Sequence, residues 1–239
     1  MFGLFTGSFD KSDVIEFVVR MLIILMVLPV HEFAHAWTAY KLGDDTANYQ
    51  GRMTLNPIAH IDPIGSLCLL LIGYGWAKPV PINPARFNRK HSIRFGVAIT
   101  ALAGPVSNLI AALLGMIGLR IYECTALYQE NITAIFTQSE FGAPTIIYYL
   151  LYYFIIINIG LAVFNLIPIP PLDGSKVVGY FTSAKVDEWF RQNEQLVRII
   201  FLVVIMTGLL SVPLGFLSNL IYMFFRLITG WIPLIAGVN

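Results

Sequence analysis

His31-Glu32-Phe33-Ala34-His35 stands near the end of an apolar run that begins at Val14 and passes through Met21-Leu22-Ile23-Ile24-Leu25-Met26-Val27-Leu28. Two histidines four apart lie on one face of a helix, about one turn from each other. That spacing lets both imidazoles reach a single zinc ion. Glu32, beside them but projecting differently, can act on water held there rather than on the metal. On a soluble helix such a pair is often only polar surface. At membrane depth two histidines and a glutamate are costly and mark a functional site.

Composition agrees with that depth. The chain has 239 residues, 57% of them hydrophobic and 12% charged, with a mean hydropathy of +0.73. Soluble domains carry about 45–50% apolar and about 25% charged residues. The expected fold is an all-α polytopic membrane protein with about four transmembrane helices around an intramembrane zinc site, one core domain over residues 1–239. The net charge of +1 says nothing of partners, and no basic stripe with interleaved aromatics points to nucleic acid. Cys68 and Cys124 form neither a metal spacing nor a disulfide framework. No cleavable signal is expected, because the first apolar run carries the metal motif.

Taken in order, the spanning helices are expected at about 14–40, 93–122, 145–167 and 196–227. Pro29 and Pro213 are expected to kink the first and the last. A small β element and re-entrant region is expected over about 46–84. Within it, Asn48-Tyr49-Gln50-Gly51-Arg52-Met53-Thr54-Leu55 reads as short strands around a turn. Ser66 to Tyr74 is apolar but too short to cross a bilayer, which suits a re-entrant segment. Pro79 and Pro81 lack donors on the same side of a strand, which suits an edge. The 123–143 stretch reads as a polar loop, and Lys185 to Glu194 as a short surface helix.

Charge sets orientation. Residues 41–92 hold Lys41, Arg52, Lys78, Arg86, Arg89 and Lys90, and 175–195 hold Lys176, Lys185 and Arg191, whereas 123–143 hold no Lys or Arg. The positive-inside rule puts the first two segments on the cytoplasmic side. His35 then lies about five residues, roughly 8 Å of helix, from the cytoplasmic end of its span. Asp173 follows the cytoplasmic end of the third.

A hydrolytic zinc takes three protein ligands and keeps one position open. Asp173, His60, Asp62, His91, Asp44 and Asp45 are the candidates for the third. Asp44 and Asp45 read as a solvated helix end, and His91 as interfacial charge beside Arg89 and Lys90. His60 and Asp62, in a proline-bounded turn, read as structural caps or as groups near the substrate. Asp173 differs in kind. It follows Pro168, Pro170 and Pro171 and precedes Gly174, at a break tolerated in a membrane only where it lines a cavity. It is the favoured ligand, with a helix N-cap as its rival reading. Asn108 and Asn165 read equally as interhelical hydrogen-bond partners or as donors to substrate or oxyanion.

These motifs together resemble the site-2 protease family of intramembrane zinc metalloproteases. The matching residues are His31-Glu32-x-x-His35, Gly104-Pro105-x-x-Asn108 and Asn165-x-x-Pro168-x-Pro170-x-Leu172-Asp173-Gly174. Arg52-Met53-Thr54-Leu55-Asn56-Pro57 with His60-Ile61-Asp62-Pro63, and Gly75-Trp76-Ala77-Lys78-Pro79-Val80-Pro81, look like the short bacterial members. The resemblance implies one Zn2+ per chain on His31, His35 and Asp173, and Glu32 as the catalytic base. It implies membrane-anchored substrates such as anti-sigma factors or signal-peptide remnants, cleaved from the cytoplasmic side of the cell membrane. Ser175 departs from the second glycine of many members, and no PDZ or CBS regulatory domain is expected. The expected substrate grip is β-augmentation on the 46–56 and 76–82 strands. A zinc-binding transporter and a catalytically inactive membrane scaffold are the rival functions. Substrate identity and oligomeric state are not legible.

Overall fold

The structure, a computed structural model, describes residues 11–63, 65, 77–137 and 142–237. The long helices are α1 (Lys11–Lys41), α3 (Ile93–Glu123) and α5 (Ala143–Asn165). Between them lie α2 (Thr46–Tyr49), two 3-10 turns (Pro57–His60 and Pro84–Arg86) and α4 (Ala126–Thr137). The chain ends with α6 (Asp173–Gly179), α7 (Ala184–Gln192), α8 (Glu194–Met206), α9 (Ser211–Ile228) and α10 (Trp231–Ile235). Among the described residues, four segments are long and apolar enough to cross a membrane: Met21–Lys41, Ile93–Glu123, Ala143–Asn165 and Ser211–Ile235. α1 runs through Pro29 and α3 through Pro105.

No β-strand occurs among the described residues. The expected strands at 46–56 are replaced by α2 and turns, because their donors are used locally. Tyr49 N–H reaches Asp45 O at 3.0 Å, Gln50 N–H reaches Thr46 O at 3.2 Å and Arg52 N–H reaches Ala47 O at 2.8 Å. Those donors are not available to a ladder. Lys78 to Ile82 likewise forms no ladder, since two of its five positions are prolines without a donor. The expected re-entrant stretch, Ser66 to Tyr74, lies outside the described residues.

Two further expectations change. The 123–143 stretch contains the helix α4. The expected helix at 196–227 is broken into α8 and α9, and the break falls at Gly208, at φ +70°, not at Pro213. Proline is tolerated in the first turn of a helix, where its missing N–H has no partner to lose, and Pro213 is the third residue of α9.

The chain divides into two compact units. One comprises Met1–Ile24, Leu109–Gly160 and Phe216–Asn239. Its interior holds Met116, Leu119, Ile135, Ile155 and Ile159, all fully or almost fully buried. A chain of ring contacts runs Tyr122–Tyr128–Tyr148–Tyr152–Tyr222. The other unit comprises Leu25–Asn108 and Leu161–Gly215 and contains every residue of the candidate site. Its packing includes Ala36, Ala47 and Val80, with Met53 and Ile82 against them. Arg94 binds Asp187 and donates to Thr182 O at 2.8 Å, tying the start of α3 to the α6–α7 region.

Candidate metal centre

His31 and His35 stand one turn apart on α1, both buried. Their rings meet edge to face, centroids 4.6 Å apart, and the two Nε2 atoms are 3.0 Å apart. Asp173 comes from the start of α6, 142 and 138 residues away in sequence. Its Oδ2 lies 3.3 Å from His31 Nε2 and 3.1 Å from His35 Nε2. The prolines at 168, 170 and 171 end α5's continuation and hold a tight turn, with the Pro170–Pro171 bond in cis. Asp173 opens α6 in its first turn. Leu172 is that helix's N-cap, so Asp173 is not the cap its rival reading required.

Each imidazole is oriented from behind. His35 Nδ1 donates to Thr100 O at 2.7 Å, and His31 Nδ1 to Asn108 Oδ1 at 2.8 Å. A carbonyl acceptor on Nδ1 fixes the tautomer and turns the Nε2 lone pair forward. Both partners belong to α3. That helix approaches the rings at Gly104, where an added Cβ would lie 2.6 Å from His31 Cε1 and in collision with the His35 ring. Only a glycine allows this contact.

Three acceptor atoms therefore converge with nothing but positive charge able to reconcile them. Lys176 Nζ lies 3.3 Å from Asp173 Oδ1, so the carboxylate already meets one cation on its other oxygen. A metal ion satisfies the same demand. Two imidazole nitrogens and one carboxylate oxygen are the donor set of a hydrolytic zinc site, and His31, His35 and Asp173 could hold one.

Glu32 is buried beside this cluster, and its Oε2 accepts the Val80 backbone N–H at 2.9 Å. The other sequence candidates lie apart from the three converging atoms. His60 is buried, and its Nε2 donates to Thr54 O at 2.8 Å. Asn165 Nδ2 donates to Leu161 O one turn back on its own helix, at 2.9 Å. Asp62 accepts Gly65 N–H at 2.8 Å, and His91 packs on Phe95. Asp45 pairs with Arg86 at 3.2 Å. Asp44 is not a solvated helix end. It is 1% exposed, accepts the Thr46 N–H and hydroxyl, and accepts Asn83 N–H at 2.6 Å.

Sequence reasoning missed Thr100 and Val80. Both act through the main chain, so residue type gives no signal. The Pro-Val-Pro alternation is the only mark that Val80 carries a donor between two residues that have none.

The model of peptidase family M50 matches residues 19–209. The chain belongs to that family, the site-2 protease family. Among curated proteins, YwhC of Bacillus subtilis strain 168, named as an inferred zinc metalloprotease, is 39% identical over 82% of this chain and 84% of its own length. Rip2 of Mycolicibacterium smegmatis, named likewise, is 28% identical over 84% of this chain and 70% of its own. Rip2 of Mycobacterium tuberculosis H37Rv is 25% identical over 85% and 71%. No solved structure matches the chain. Family membership and the apolar helices together make this a membrane protein and a zinc metalloprotease.

Proposed function

We propose that this M50 protease is an intramembrane one, hydrolysing peptide bonds in or near the transmembrane segments of membrane-anchored proteins. The observation that carries the reading is the convergence of His31 Nε2, His35 Nε2 and Asp173 Oδ2, within 3.0–3.3 Å of one another, with both histidines on a helix long and apolar enough to cross a membrane. One zinc ion per chain on these three atoms supplies Lewis acidity toward a scissile carbonyl and acidifies water.

The chain's own residues supply the rest. Thr100 O and the Asn108 amide keep the two imidazoles facing forward. Glu32 Oε1 is the base: it takes the proton of the attacking water as the water oxygen bonds to the carbonyl carbon. The same carboxyl then delivers that proton to the amine as the C–N bond breaks. Burial of Glu32, His31, His35 and Asp173 limits competing solvent in a site where these charges act strongly.

The chain works as one protease core in the cell membrane, with its site toward the cytoplasm. Lys41, Arg52, Lys78, Arg86, Arg89, Lys90 and Arg94 support that orientation by clustering near the site's end of α1 and α3. Anti-sigma factors and signal-peptide remnants are the substrate classes this reading favours.

The test is cleavage of a model membrane-anchored substrate by the purified chain in detergent or liposomes. Wild type should cleave within the membrane segment, lose activity to a chelator and regain it with zinc. Glu32→Gln should be inactive. Cleavage by Glu32→Gln at the wild-type rate would contradict the assignment.

A further inference from the structure

Lys78-Pro79-Val80-Pro81-Ile82 crosses the face of α1 that carries the site. Between Lys78 and Pro81 the main chain owns only two N–H groups, because 79 and 81 are prolines. Both are spent inward: Lys78 N–H on His60 O at 2.9 Å, and Val80 N–H on Glu32 Oε2 at 2.9 Å. The Val80 side chain is buried against Ala36, one helical turn beyond Glu32 on the same face of α1. The segment is anchored on both flanks. Arg52 donates to Lys78 O at 2.7 Å and to Pro79 O at 3.2 Å. Asp44 accepts Asn83 N–H at 2.6 Å. Prolines fix their own φ and restrict the residue before them, so Lys78 and Val80 lose little further freedom in this arrangement.

We infer that Val80 is a positioning residue for the protease reaction: its main-chain N–H, held by the Arg52 and Asp44 clamps, fixes the Glu32 carboxylate. One oxygen is engaged, and the other is left as the base. This rests on the reading of Glu32 as base. A carboxylate on a side chain with several rotatable bonds samples many positions, and a charge-assisted hydrogen bond to a rigid donor selects one. The flanking prolines offer no main-chain N–H of their own beside it. Asp44 and Arg52, remote from the reacting atoms, thereby serve orientation.

The test is steady-state kinetics on a model membrane-anchored substrate, with zinc content measured on the same samples, for wild type, Val80→Pro, Val80→Ala, Arg52→Ala and Glu32→Gln. Val80→Pro deletes the donor. Its kcat should fall roughly 10–100-fold, as for lost orienting partners of an active centre, with KM and zinc content kept. Val80→Ala retains the N–H and should recover most of the lost kcat. If Val80→Pro does not accumulate in the membrane, Arg52→Ala answers the same question by releasing the clamp, with a kcat loss at constant zinc. Unchanged kcat in these variants overturns the inference. So does a higher KM at constant kcat, which makes the segment a substrate-pairing edge. Faster cleavage also overturns it, because the segment is then a lock on the base. Failure of the parent reading is separate: it shows as full activity in Glu32→Gln.

Discussion

His31 Nδ1 donates to Asn108 Oδ1 at 2.8 Å, across 77 residues of sequence and between two spanning helices. An asparagine at membrane depth is thereby explained. It faces the back of a metal-ligating ring and holds the tautomer in which Nε2 is a lone pair.

Asn108→Ala removes that acceptor and leaves the Nδ1 proton buried without its partner. Zinc affinity should fall by about 10–100-fold, the usual effect of losing such an orienting group. Competition with a chelator of known affinity measures it. Wild-type affinity in the variant would mean that the His31 ring is held by its packing alone.

Gly104→Ala places a methyl group where the two imidazoles stand. The backbone of α3 has to retreat, or the rings have to turn. Zinc content and cleavage should both collapse while circular dichroism still shows a helical protein. Alanine is a better helix former than glycine, so a loss cannot come from helix propensity. A fully loaded, active Gly104→Ala protein would contradict the close contact of α3 with the rings.

Orientation is tested by fusions. A reporter joined after Ile132, in α4, should behave as exported, and one joined after Lys90 as cytoplasmic. The motive is the absence of Lys and Arg from 123–143 against their abundance in 41–92. Reversed behaviour would put the site on the other face of the membrane.

Much of this was legible in the sequence, for physical reasons. A His-x-x-x-His pair in an apolar run has one reading that justifies its cost. Three prolines followed by Asp-Gly force a break where a ligand can be presented. The helix ends at Ile93 and Ala143 fell within two residues of expectation, since apolar length alone sets them. The 46–56 segment reads as strands by residue type, yet its donors turn back on the Asp45, Thr46 and Ala47 carbonyls. Asp44 reads as solvated because it follows the helix end, yet it is buried and accepts the Thr46 and Asn83 N–H groups. Pro213 predicts a kink by its type, but it falls in the first turn of α9, and Gly208, five residues earlier, provides the left-handed turn. Thr100 and Val80 were invisible because their contribution is main-chain geometry.

In the proposed reaction two carboxylates have different work, Asp173 holding the metal and Glu32 moving the proton. Zinc per protein after purification, measured together with cleavage, separates them. Glu32→Gln should keep wild-type zinc and lose hydrolysis by the roughly 10²–10⁴-fold of a missing general base, or more. Asp173→Ala leaves two imidazoles without their carboxylate, so zinc and activity should be lost together. Tightly held, stoichiometric zinc in Asp173→Ala would contradict the account and move the third ligand elsewhere, with His60 the next candidate.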